Sequence, residues 1–198
     1  MGEPTERIDD RLRAFIEAQK VFFVATAPVG PSGHVNVSPK GLSDTFAVLD
    51  PVTVAYLDLT GSGAETIAHL RQNARITLMF CAFEGPPRIV RLYGTGEVVL
   101  PGTASWDQLS ALFPGRSGAR AVVRVALERV SSSCGYGVPL YSFQAERDQL
   151  ERWSERKGPD GLATYRRDKN SSSIDGLPAL SPTGDWIGAR SIPRQVAP

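Results

Sequence analysis

The sequence predicts a mainly β fold with flanking helices, and three observations predict it. Short apolar runs at residues 21–27, 46–50 and 52–58 are separated by turns rich in Pro and Gly, the pattern of successive antiparallel hairpins. A longer run at 120–130 contains a clear alternating section and suits a strand that closes a barrel. The successive hairpins argue against a strand–helix–strand nucleotide fold, and the glycines at 61 and 63 complete neither a dinucleotide fingerprint nor a phosphate loop.

Composition narrows the function classes. The 198 residues are 41% hydrophobic, enough for one core and an appendage. Twenty-two basic and 21 acidic residues leave a net charge of +1, which gives no electrostatic reason to expect nucleic acid or a membrane as partner. Two cysteines, Cys81 and Cys134, are too few for a disulfide framework, and the N-terminus is polar, so a reduced cytoplasmic protein is expected.

Residues 5–20 carry Ile8, Leu12, Phe15 and Ile16 at helical spacing, expected to cap a barrel end. The strand at 21–27 turns through 28–33 into a second strand at 34–38, which Pro39 is expected to end. Alternation puts Val35 and Val37 on one face and His34, Asn36 and Ser38 on the other. Lys40 follows, open to two readings: a solvated lysine at a strand end, or a cation for a bound anion.

The most informative stretch runs from Leu57 to Val99. Its turn, residues 59–66, holds Thr60, Gly61, Ser62, Gly63 and Thr66. Such a turn converges hydroxyls and backbone N–H groups on an anion, and the following helix adds its N-terminal dipole. Ile67, Leu70 and Ala74 mark the buried side of that helix, and Asn73 its stop; His69 is read as a surface or packing residue. Strands are expected at 75–83 and 88–99, the second placing Arg88 and Arg91 on one face, either as a site or as a basic edge. Ser105 and Gln108 have capping-box spacing for a helix ending near Phe113. Residues 131–139 read as a shaped loop, with Tyr136 either a surface residue or a group reaching a partner or cofactor. Helices are expected at 144–157 and 161–170, then a docked tail carrying Ile174, Leu180 and Trp186.

The run from Thr60 to Glu97 resembles the flavin-binding half of the pyridoxamine 5′-phosphate oxidase-like family. The resemblance implies a six-stranded antiparallel split β-barrel of the FMN-binding type over residues 1–142, with 143–198 as a helical extension packed on the barrel or on a partner subunit. It implies FMN as cofactor, with a deazaflavin as the alternative, and a homodimer with the cofactor at its interface. Ser38, Lys40, Thr60, Gly61, Ser62, Thr66, Arg88 and Arg91 are the implied cofactor residues. Thr66 stands where the oxidase has a phosphate-binding lysine, and Ile89 where it has a flavin-contacting glutamine, so oxidation of vitamin B6 itself is not implied. What is implied is a flavin-dependent oxidoreductase acting on a small molecule, or a flavin carrier or redox sensor; no triad or metal cluster is required, because the flavin carries the hydride chemistry.

Overall fold

The computed structural model describes residues 5–180. Trp186, in the expected tail, lies outside them. In chain order the elements are α1 (Asp10–Ala18), β1 (Phe22–Thr26), β2 (Asn36–Lys40), β3 (Phe46–Asp50), β4 (Thr53–Leu59), α2 (Glu65–Asn73), β5 (Arg75–Cys81), β6 (Ile89–Val99), α3 (Trp106–Ser110), β7 (Ala119–Ser133) and α4 (Gln149–Lys169). The strands form one sheet in the order β2-β1-β5-β6-β7-β4-β3, every neighbour antiparallel. Seven strands thus stand where six were expected. All seven fall on segments that the sequence marks as strands, β3 and β4 being joined by the hairpin at Pro51.

The sheet curls on itself. Phe22 of β1 lies 5.1 Å from Phe46 of β3 and 5.6 Å from Tyr56 of β4, ring centre to ring centre, although these strands belong to opposite ends of the sheet order. Phe80 completes the cluster at 5.5 Å from Phe22 and 5.1 Å from Phe46. Contacts at these spacings bury large aromatic area and hold the two halves face to face. Around them Val24, Leu78, Leu92, Val123 and Val125 are buried, and Leu12 and Ile16 of α1 join the same core. A second core on the outer face holds Leu57 and Val122 under Leu109 and Phe113, at α3.

Several boundaries depart from expectation. Helix α1 begins after Asp9, whose carboxylate accepts from the Leu12 N–H at 2.7 Å, so the preceding residues lie outside the helix. Pro39 does not end β2; it pairs with Phe23 inside it. An edge strand tolerates proline because one row of its N–H groups has no partner strand. Ser131–Ser133 are strand rather than loop: they pair with Ile89–Arg91, and ladder formation overrides their turn preference. Ser105 makes no side-chain cap, and α3 is a single short turn. The two C-terminal helices are joined through Gly158, whose φ of 64° breaks the helix just before Pro159. Neither Phe143 nor Leu150 is buried; they are 46% and 38% exposed.

Gly94 sits where the β6–β7 register shifts, and a Cβ there would lie 2.1 Å from the Ala126 carbonyl oxygen. Gly94→Ala is therefore expected to cost about 1–3 kcal/mol through backbone displacement. Chemical denaturation showing an unchanged midpoint would refute this close approach.

Candidate functional site

The site is built around the turn between β4 and α2. Its base is Asp58, the one acidic residue in an otherwise apolar stretch of β4 and only 1% exposed. One carboxylate oxygen accepts from Lys40 Nζ at 2.8 Å and the other from Arg120 Nε at 2.7 Å. Burial alone would raise this carboxyl, but Arg120 and then Lys40 outweigh it by charge and hydrogen bonding and hold it well below the usual carboxylate range. Arg120 continues to Asn170 Oδ1 at 2.9 Å, and Asn170 Nδ2 donates to the Gly61 carbonyl at 3.0 Å. Thr60 is fully buried: its hydroxyl donates to Gly118 O at 2.9 Å and accepts from Arg166 Nε at 2.8 Å. The turn is thereby fastened to the sheet on one side and to the C-terminal segment on the other.

A second polar group faces the start of α2. Cross-strand neighbours share a face, so the pairing of Ser38 with Val24 and of Asn36 with Thr26 turns these β2 side chains toward the interior. Asn36 Nδ2 donates to Thr66 Oγ1 at 3.0 Å and to Thr26 Oγ1 at 3.3 Å, while Ser38 donates to Asn36 Oδ1 at 2.9 Å. Thr26 Oγ1 also lies 3.0 Å from His69 Nδ1. His69 is fully buried rather than superficial, and its Nε2 has no partner among the described residues. Burial lowers its pKa, against the pull of Asp175 and Glu65.

Helix α2 starts at Ala64, whose methyl cannot cap it, so its first N–H groups point into the turn without a side-chain acceptor from the cap. The Glu65 carboxylate folds back over Gly63 and also accepts from the Ile174 N–H at 3.3 Å. Ser62 is exposed at the tip of the turn. The Glu65 carboxylate thus stands beside the N–H groups of the turn, where an anionic group of a ligand would compete with it.

The eight expected residues thus fall into three places. Gly61, Ser62 and Thr66 line the turn and Ser38 joins them through Asn36. Lys40 and Thr60 are engaged in the ionic and hydrogen-bonded base. Arg88 and Arg91 lie apart, and they do not share a face. Arg88 precedes β6, donates to Ser132 Oγ at 3.0 Å and lies 5.2 Å from the Phe15 ring. Arg91 pairs with Met79, Met79's neighbour Phe23 pairs with Pro39, and this places Arg91 on the outer face, away from Ser38 and Lys40. An interval of three residues reverses side-chain direction along a strand. Sequence reasoning passed over Asp58, Arg120, Arg166 and Asn170. A lone carboxylate inside an apolar strand was the available signal for the first of them.

This geometry coincides with a match over residues 8–134 to the family described as pyridoxamine 5′-phosphate oxidase. The chain belongs to the pyridoxamine 5′-phosphate oxidase family. It is 43% identical over 196 aligned residues to the pyridoxamine 5′-phosphate oxidase family protein ustO of Aspergillus flavus, covering 88% of this chain and 76% of that one. In fold it is similar to HupZ of Group A Streptococcus, with a TM-score of 0.50 at 22% identity over 64% of this chain and 94% of the other. A Lactobacillus delbrueckii protein provisionally named for the same oxidase gives 0.50 at 21%, covering 64% and 95%. The oxidase-family match ends before the C-terminal segment that supplies Arg166 and Asn170.

Asp58→Asn is expected to cost about 3–5 kcal/mol, because it leaves Lys40 and Arg120 without their shared counter-charge. A carboxyl with a depressed folded pKa contributes stability above its unfolded value of about 4, and this is lost as the pH falls below it. The unfolding free energy of the Asn variant should consequently fall less steeply between about pH 4 and pH 2 than that of the parent. Parallel curves would remove Asp58 from this role.

Proposed function

We propose that this protein binds a flavin mononucleotide and is a flavin-dependent oxidoreductase acting on a small molecule. The observation that carries the reading is the uncapped start of α2 beside the Ser38–Asn36–Thr66 chain, in a member of this oxidase family. On this reading the cofactor phosphate takes N–H groups of the turn at Gly61 and Ser62 and the hydroxyls of Ser38, Ser62 and Thr66. Lys40 and Thr60 hold that turn against the sheet. The flavin supplies hydride transfer when bound; the chain supplies binding, orientation and exclusion of water.

The outer face of β2, β1, β5 and β6 supports a homodimer. Val35 and Val37 are 70% and 61% exposed there, a combination that an isolated subunit leaves in water. Arg91 shares this face, and Arg88 flanks it, so a second copy would bring both toward the cofactor's edge. The exposed Cys134 and the buried Cys81 are both free, in keeping with a cytoplasmic setting. No helix among the described residues is long and apolar enough to cross a membrane.

Purified protein is expected to carry a yellow chromophore or to take up added FMN, with the spectrum separating FMN from a deazaflavin. Ser38→Ala and Thr66→Ala should each weaken FMN by about 1–3 kcal/mol, as for loss of a charge-assisted hydrogen bond. Glu65→Gln should tighten it, since a carboxylate is removed from the phosphate's place. A colourless protein that binds neither cofactor would overturn the reading. Binding of flavin without turnover of any electron donor would leave a carrier or sensor.

A further inference from the structure

Residues 171–180 follow α4 and fold into a small hairpin of their own. Ser172 pairs with Pro178, the Ser173 N–H reaches the Leu177 carbonyl at 2.9 Å, and the Ala179 N–H reaches Ser171 O at 2.9 Å. Ser173 Oγ accepts from the N–H groups of Asp175 and Leu177 at 3.3 and 3.2 Å, which shapes the tip at Ile174, Asp175 and Gly176. One end of this hairpin is rooted: Ala179 is buried in the main core, and Leu177 and Leu180 pack against that core. The hairpin lies along α2, where the Ile174 N–H meets Glu65 at the helix start and the Ala179 carbonyl accepts from Arg71 further on. At the tip the contacts are polar, and Ile174 is 72% exposed.

The carboxylate at the tip clasps the connection between β1 and β2. One Asp175 oxygen accepts the His34 backbone N–H at 2.8 Å, and the other lies 2.7 Å from His34 Nδ1. These bonds with His34, the side-chain one first, hold the Asp175 carboxyl below its usual range. The approach is close: a Cβ on Gly33 would stand 3.0 Å from Asp175 Oδ2 and 2.7 Å from Pro28 Cγ. The connection spans residues 27–35, and its other bonds also go outward. The Val29 N–H reaches Gln72 Oε1 at 3.0 Å, and the Ala27 carbonyl accepts from Asn73 Nδ2 at 2.9 Å. A two-residue turn fixes the register of the strands it joins, whereas a connection this long does not. Strand β2 also lies at the sheet edge, with β1 as its one neighbour.

We propose that residues 171–180 are a strap that closes along α2 and, through the clasp of Asp175 on His34, holds edge strand β2 in place. Released at its tip and still rooted at Leu177, Ala179 and Leu180, the strap opens without unfolding the core. Asn36 follows His34 by two positions and donates to Thr66 and Thr26, so the clasp acts on the Ser38–Asn36–Thr66 chain without belonging to it. Asp175 and His34 are thus positioning residues. The clasp does not depend on the flavin reading; its effect on a cofactor does.

The test is hydrogen exchange read by mass spectrometry on the full chain. Asp175→Ala should speed exchange roughly tenfold or more at residues 34–38 and 173–176 while β5 stays unchanged. His34→Asn keeps an amide donor for Asp175 and should retain most of the protection that His34→Ala loses. Ile174→Ala, which keeps the N–H on Glu65, should behave as the parent. Faster exchange at 173–176 with residues 34–38 unchanged would overturn the proposal, because β2 would then hold itself. Acceleration that extends to β5 would overturn it too, making the strap an ordinary part of the core. Where the parent takes up FMN, Asp175→Ala should weaken it roughly threefold or more, and equal affinity would overturn the hold of the clasp on the site. A parent that takes up neither FMN nor a deazaflavin sinks the flavin reading, and the exchange pattern alone then decides the clasp.

Discussion

Closure of the sheet depends on one buried carboxylate. Lys40 stands on an edge strand and Asp58 on the strand next to the other edge, so their 2.8 Å contact joins regions far apart in the sheet order. Arg120 meets the same carboxylate from β7. Burying three charges costs desolvation that hydrophobic residues of equal volume would not incur, so the triad is a poor device for stability alone. Its effect is geometric. It fixes the end of β4 at the point where the chain leaves the sheet for the turn before α2.

From that point the turn is held by side chains that cannot also hold a ligand. Both hydrogen-bonding roles of the Thr60 hydroxyl are taken, one by Gly118 and one by Arg166. The Gly61 carbonyl is taken by Asn170. These commitments leave the N–H side of the turn and the start of α2 facing Ser38 and Thr66, so a rigid set of donors remains with the backbone already ordered. Preorganisation of this kind lowers the entropic cost of binding an anion. Glu65, in the first turn of α2, places its carboxylate beside Gly63, where a negative charge answers the positive end of the helix dipole.

What the sequence made legible was whatever depends on local periodicity. The hairpins, the apolar strand at Arg75–Cys81 and the helix stop at Asn73 all follow from neighbouring residues. Ladder pairing decided the rest. Pro39 is strand because it lies on an edge, and Ser131–Ser133 are strand because β6 extends far enough to need them. The site's base was illegible for a different reason. Arg166 reaches Thr60 across 106 positions and Asn170 reaches Gly61 across 109, and no spacing rule connects residues that far apart. Arg88 and Arg91 show the converse: close in sequence, they are parted by the pleat and by the end of β6.

Strand β2 divides its side chains between two settings through its own alternation. Asn36, Ser38 and Lys40 share the inward face, the first two turned to the helix start and the third to Asp58. Val35 and Val37 on the opposite face remain exposed. A one-residue shift in the β1–β2 register would exchange these faces, sending the polar side chains outward and the valines into the site. The pairing of Phe22 with Lys40 therefore carries the proposed function as much as any single polar group: it seats the phenyl ring in the aromatic cluster and, by the same register, aims the ammonium at Asp58.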